Sequence, residues 1–434
     1  MVISTKSKTL FKLIKIYIEK WALQQSPNLI FLVIYKLKLF RRDTDYIQPE
    51  LKTRKIIKED LKIKMLTLLN QINSELVKSE SALIDPSEYK KVTVKSKIST
   101  INNCLIIVPE RWMSPDNNYT ITQRQSIAFL EQGLKENGCN VRLVEANNSI
   151  SNSTNLDQAI HEICQEIKSC DLIFLWSLTG LKIESNFFSQ IEGALKAKKG
   201  KIIGVITSTH IHSNVEEYYE KWSRLVNIVT SVAEEFAFTR GLSKLFTHYH
   251  LPQIPYYEFV PKLITKHQVK VYFSGTIKHN RYSWIVALRY QCIMQKIEYK
   301  IRAIYYELFW QGLSGIYIPP NEFVNERRKF SLSLVITHRD ANTDFPLIGS
   351  FWDAYLVGSI PIVQMQNPKR ISSYLTPYLD YFPMLNEIEL YYTLQVLNTN
   401  PEILDALRER IYQRSKKEFT PKKIIGDFLD KLKD

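Results

Sequence analysis

The stretch Asp344-Phe345-Pro346-Leu347-Ile348-Gly349-Ser350-Phe351-Trp352-Asp353-Ala354-Tyr355-Leu356-Val357-Gly358-Ser359-Ile360-Pro361-Ile362-Val363 decides the fold class. Its second half predicts a short helix that ends at a glycine and turns into a buried strand. Gly358 can take the positive φ that closes a helix, and Pro361 keeps the helix from continuing. The run Ile360-Pro361-Ile362-Val363 fits a strand entering the core of a sheet. Asp353, in the helix before that exit, would hold a carboxylate at the mouth of a parallel sheet, where open α/β sheets bind their ligands.

Upstream of this turn, residues 332–337 read as a buried strand, 321–330 as a basic helix containing Arg327 and Arg328, and 313–318 as a further strand. Residues 269–275 open the sheet and lead through Thr276-Ile277-Lys278-His279-Asn280-Arg281 into a helix that runs to Tyr290. A strand ending in Ser274-Gly275, followed by Lys278 and Arg281 at a helix start, suits a diphosphate. Backbone N–H groups, the helix dipole and two cations converge there. Downstream, a Pro/Tyr-rich loop reaches Pro383, and helices are expected at 389–397, 402–419 and 422–432.

A second alternation of strands and helices precedes this one. Strands are expected at 104–108, 140–144, 171–176, 201–206 and 225–229, and helices at 122–137, 156–167, 187–198 and 231–239. Strands separated by helices of this length imply parallel βαβ units and a doubly wound sheet. No G-x-G-x-x-G follows the first strand, which removes the main support for a dinucleotide oxidoreductase. The loop found there instead, 109–118, is long and polar and is a candidate acceptor-side loop. His210 and His212 follow the fourth strand and are the candidate catalytic residues, as general base or substrate ligand. Neither this His-x-His nor His248-Tyr249-His250 has a carboxylate or cysteine at matching spacing, so no metal is expected.

At 434 residues, with 45% apolar and 12% aromatic side chains, the chain has room for two domains and an extension. Its five cysteines form no CxxC pair and read as core thiols of a reducing compartment. The net charge of +14 is concentrated in residues 1–98, which hold 20 Lys and Arg against 10 Asp and Glu. The later residues hold 38 against 34. This pattern describes a local basic arm rather than a nucleic-acid-coated protein, and no nucleic-acid partner is expected. Leu10, Ile14, Tyr17, Ile18 and Trp21 fall at helical spacing opposite lysines. The apolar run 29–35 is too short for a bilayer, which needs about 20 residues. A third helix is expected over Leu61, Met65, Leu68, Ile72 and Leu76. The arm either rests on an anionic membrane surface through residues 1–42 or packs on the body of the protein. The start of the chain lacks a signal-peptide core, so a cytoplasmic place is expected, with a peripheral one at the inner membrane face if the arm binds lipid. The division is therefore 1–98 arm and linker, 99–260 first α/β domain, and 261–434 second α/β domain.

Two tandem α/β domains, with an acidic-Ala-x-x-x-Gly-x-x-Pro turn in the second, resemble glycosyltransferases of the GT-B fold. The block 332–363, the tail 400–428 and Phe273-Ser274-Gly275 with Arg281 look like the C-terminal halves of exostosin-like and CgeB-like members. The resemblance implies two Rossmann-like doubly wound domains and transfer of a sugar from a nucleotide-sugar on the second domain to a cell-surface glycan or lipid-linked acceptor on the first. It implies no cofactor and no metal, with basic side chains meeting the departing diphosphate. Donor-binding roles then fall to Gly275, Lys278, Arg281, Asp344, Asp353 and Gly358, with Asp353 accepting ribose hydroxyls. Two positions depart from the pattern. Ser350 stands where many relatives carry arginine, and Phe345 stands where retaining families carry a second glutamate, with Asp344 one residue away. The alternative is a non-catalytic nucleotide- or sugar-binding component of a glycan-assembly complex.

Overall fold

A computed structural model of the chain describes residues 21–22, 25–36, 67, 70, 72, 74, 76, 101–110, 113, 121–146, 154–178, 180–198, 201–207, 215–231, 244–258, 260–264, 268–277, 281–305, 319–336, 349–364, 375–384 and 387–432. The arm contributes helix α1 (Asn28–Lys36). The described residues of the third expected arm helix are helical, with Ile72 and Leu76 buried.

The first domain is a parallel sheet of β1 (Asn103–Pro109), β2 (Asn140–Ala146), β3 (Leu172–Trp176), β4 (Ile202–Ile206), β5 (Ile228–Ser231) and β6 (Thr247–His250). The spatial order is β2-β1-β3-β4-β5-β6. Helices α2 (Ile121–Glu136), α3 (Thr154–Ser169), α4 (Asn186–Lys196) and α5 (Val215–Trp222) connect the strands. Every residue of β3 and β4 is buried, as expected for parallel strands covered on both faces. β2 lies at the edge, and only its last residue is fully buried. The expected strands are present, the fifth shifted to 228–231. The structure adds α5 and β6, and the expected helix at 231–239 lies outside the described residues beyond Ser231. β6 is short and reads Thr-His-Tyr-His, a polar run without the apolar content that marks a strand. Tyr249 packs against the ring of Phe428, while His248 meets the Ser231 hydroxyl at 2.7 Å.

The second domain is a parallel sheet of β7 (Lys270–Ile277), β8 (Glu298–Tyr305), β9 (Leu332–Ile336), β10 (Ile360–Gln364) and β11 (Phe382–Met384), in the order β11-β10-β9-β7-β8. Its helices are α6 (Arg281–Met294), α7 (Pro320–Arg327), α8 (Gly349–Leu356), α9 (Glu387–Thr399) and α10 (Pro401–Lys417). β8 was not expected, because its Glu-Tyr-Lys-Ile-Arg start reads as polar. The strand expected at 313–318 lies outside the described residues.

The last helix, α11 (Pro421–Lys431), follows the second domain in the chain but packs on α2 of the first. Asn137 Nδ2 donates to the Lys422 carbonyl at 2.9 Å, and Phe428 meets Phe174 and Tyr249. The approach depends on Gly133, where an added Cβ would stand 2.3 Å from Ile425 Cγ1 and 2.7 Å from the Pro421 carbonyl. One core cluster runs through this crossing from β1 and β3 into β7, β9 and β10.

Candidate functional site

From β7 the chain builds β8 on one side of the sheet and then β9 on the other, so the topological switch point lies between β7 and β9. These two strands pair only at Val271–Leu332 and Tyr272–Ser333, whereas β7 and β8 stay paired from Lys270–Glu298 to Ile277–Tyr305. The carboxyl halves of β7 and β9 therefore part. Open α/β sheets take their ligands at such a point.

Arg327 stands where the pairing stops. It ends α7, where the helix dipole favours a cation. Its guanidinium is fully buried, lies 5.4 Å over the rings of both Tyr272 and Phe323, and donates from Nε to Ser333 Oγ at 3.3 Å. Nη2 donates to the Ser350 carbonyl at 2.9 Å, and Nη1 faces Asp353 Oδ2 at 3.4 Å. Position 350 carries no arginine in the sequence, yet a guanidinium reaches this turn from α7.

Asp353 is fixed on α8 by aromatic packing on either side of it in sequence. Phe351, Trp352 and Tyr355 are buried and meet one another, and Trp352 and Tyr355 also meet Phe419. The Asp353 side chain is 12% exposed. Its Oδ1 accepts a 2.6 Å hydrogen bond from the hydroxyl of Tyr257, in the segment that joins the two sheets. The neighbouring Tyr256 donates its backbone N–H to the Gln125 carbonyl of α2 at 3.0 Å, so adjacent residues tie the crossing to one domain each. Burial pushes the Asp353 carboxyl above its ordinary value, while the Arg327 charge and the Tyr257 hydrogen bond oppose the rise. Burial, reinforced by the carboxylate, holds the Tyr257 phenol well above its own, so it remains a donor.

Of the expected donor residues, Gly275 lies in the carboxyl half of β7 with φ +154°, a conformation that favours glycine. Gly358 reaches the group through its neighbour Ser359, whose hydroxyl meets that of Ser333 at 2.9 Å. Gly358 closes α8 with φ +70° at the edge where the strands begin, and a Cβ there would stand 2.5 Å from Leu263 Cδ1. Arg408 donates to its carbonyl at 3.0 Å and to that of Ile264 at 2.8 Å, so the turn is bound into the packing of α10 against the crossing. Arg281 is the first residue of α6, its backbone alone described. Lys278, Asp344, His210 and His212 lie outside the described residues, as does most of the 109–118 loop. Among the described residues, no group of three or more His, Cys, Asp or Glu is placed to hold a metal ion.

The sequence reading missed Tyr257 and the role of Arg327. Arg327 was visible only as one of two arginines ending a basic helix, and nothing in linear order separates it from Arg328. Tyr257 lay in a proline-marked crossing with no periodicity to orient its side chain.

No family model matches the chain, and no curated protein matches it in sequence. Solved structures match in fold. An alpha-glucosyltransferase in complex with UDP-glucose and DNA containing an abasic site aligns with a TM-score of 0.51 at 13% identity, over 76% of this chain and 99% of that one. An alpha-glucosyltransferase in complex with UDP and a 13-mer DNA containing a central A:G mismatch aligns with a TM-score of 0.51 at 12% identity, over 77% and 100%. With two parallel α/β domains and a last helix that returns to the first, the chain has the GT-B fold of these glycosyltransferases.

Proposed function

We propose that the protein transfers a sugar from a nucleotide-sugar donor, bound at the β7–β9 switch point, to an acceptor carried by the first domain. The observation that carries this reading is the Tyr257–Asp353–Arg327 group at the point where β7 and β9 part. A carboxylate oxygen accepts more than one hydrogen bond. Asp353 can therefore keep both protein partners and still take a ribose hydroxyl through its exposed fraction. Gly275 leaves the backbone of β7 open to close approach, and Lys278 and Arg281 follow it as cations for the diphosphate. Charge on the leaving group is then met by side chains and a helix N-terminus, with no resident metal or cofactor in the mechanism. His210 and His212, after the carboxyl end of β4, are the proposed acceptor-side base and ligand.

The acceptor is a cell-surface glycan or lipid-linked sugar, in keeping with the resemblance of residues 332–363 to exostosin-like and CgeB-like members. The glucosyltransferases similar in fold were solved with DNA. Here the residues after 98 are close to charge balance, which does not suit the many phosphate contacts of a duplex.

The test is release of nucleotide from a panel of UDP-, GDP-, dTDP- and CMP-sugars, with and without acceptors. Turnover is expected with one nucleotide class, and its loss in Asp353→Asn with the melting temperature preserved. Equal turnover in the variant removes Asp353 from the site. Saturable binding without turnover across the panel returns the non-catalytic alternative.

A further inference from the structure

The arm presents two apolar faces, and the structure covers one of them. Ala22, Ser26 and Phe31 are buried. The buried Arg289 of α6 donates to the carbonyls of Ala22 and Ser26, lies 4.4 Å over the Phe31 ring, and donates from Nε to the Tyr299 hydroxyl at 2.9 Å. Tyr299 in turn donates to Asn28 Oδ1 at 2.9 Å. A cation that satisfies two carbonyls at the turn before a helix fixes that helix in place. α1 is therefore held against α6 and β8.

The opposite face is exposed: Leu29 is 74% exposed, Val33 48% and Ile30 41%, and Trp21, seven residues before the helix, is 44% exposed. At about 100° per residue, Leu29, Val33 and Ile30 span an arc of roughly 100°, with Phe31 on the far side. Single exposed apolar residues are ordinary. Here, however, four of the five large exposed hydrophobic side chains among the described residues fall on this short segment, and Met294 is the fifth. A helix that is apolar all round requires an apolar environment on both faces.

We propose that the exposed face of α1 is a membrane-contact surface, inserted into the headgroup boundary of an anionic bilayer while Arg289 holds its other face to the second domain. Charge selects this occupant. The sequence around the ridge carries Lys12, Lys15 and Lys20 before it and Lys36, Lys38, Arg41 and Arg42 after it, against Glu19 and Asp43. A second copy of the chain would bring the same excess of positive charge against it, and a nucleic acid has no use for the apolar ridge. Anionic lipid satisfies both features. The nine residues of α1 extend only about 14 Å, so the helix lies in the interface rather than crossing it. This surface stands apart from the chemistry proposed at the β7–β9 switch point.

The test uses the full chain and flotation with vesicles of phosphatidylcholine and phosphatidylglycerol in equal parts, and of phosphatidylcholine alone. The expected result is binding to the anionic vesicles, weakened by salt, and reduced about tenfold or more in Leu29→Ser/Val33→Ser and in Leu29→Glu/Val33→Glu. Both variants alter solvent-facing positions, and an unchanged melting temperature certifies their folding. Failure of the wild type to float, or equal flotation of wild type and folded variants, overturns the proposal. So does a concentration-dependent dimer that either variant abolishes, since a second copy would then occupy the ridge.

Discussion

Asp353 joins three pieces of chain that are remote in sequence: α8, the end of α7 and the crossing between the sheets. Arg327 has no exposure and faces the carboxylate at 3.4 Å. Arg327→Met should therefore leave Asp353 as a nearly buried charge and cost about 3 kcal/mol in chemical denaturation. Tyr257→Phe removes one hydrogen bond and should cost about 1 kcal/mol. It has a second effect with a defined sign. The Tyr257 hydrogen bond and the Arg327 charge both lower the Asp353 value, while burial raises it above the ordinary one. As the pH falls through that raised value, Asp353 takes up a proton, loses its charge and, in the proposed site, would hold donor hydroxyls more weakly. Nucleotide affinity should fall on acidification at a higher pH than an ordinary carboxylate allows, and higher still in Tyr257→Phe. Titration of nucleotide against pH in wild type and Tyr257→Phe checks this, and identical midpoints would disconnect Tyr257 from the site.

Among the elements, the helix–glycine–strand unit α8–β10 was legible because one stop signal and one apolar run set it. The structure closes α8 at Gly358 with φ +70°, against Leu263 and α10. Gly358→Ala should lower stability by about 1–2 kcal/mol from the left-handed backbone alone, with the Leu263 approach adding to it, as a shift in denaturation midpoint. The buried strands β1, β3, β4 and β9 were legible for the same reason, as short apolar runs. β6 and β8 were not, because polar residues interrupt their apolar pattern. The packing of α11 on α2 was also hidden, since an amphipathic helix does not reveal which sheet it will cover. Gly133→Val should loosen this crossing and lower the melting temperature, because Ile425 and the Pro421 carbonyl leave no room for a side chain.

At the scale of the molecule, tandem βαβ alternation was enough to expect two doubly wound domains, and the two parallel sheets agree with it. The candidate site was half legible. Asp353 and Gly275 follow from motif and strand position, but the partners of Asp353 arrive by tertiary approach that no local pattern encodes. The crossing segment holds Tyr256 to α2 and Tyr257 to Asp353, so a ligand that moves the carboxylate acts directly on the connection between the domains. In the proposed site, a nucleotide-sugar binds where β7 and β9 part, beside Asp353. Calorimetric titration of UDP, GDP, dTDP and CMP into wild type and Asp353→Asn tests this binding. Saturable binding of one nucleotide to the wild type is expected, with affinity about tenfold or more weaker in a folded Asp353→Asn, a difference of roughly 1.4 kcal/mol or more. Absence of binding by the wild type, or equal affinity in the variant, would contradict it.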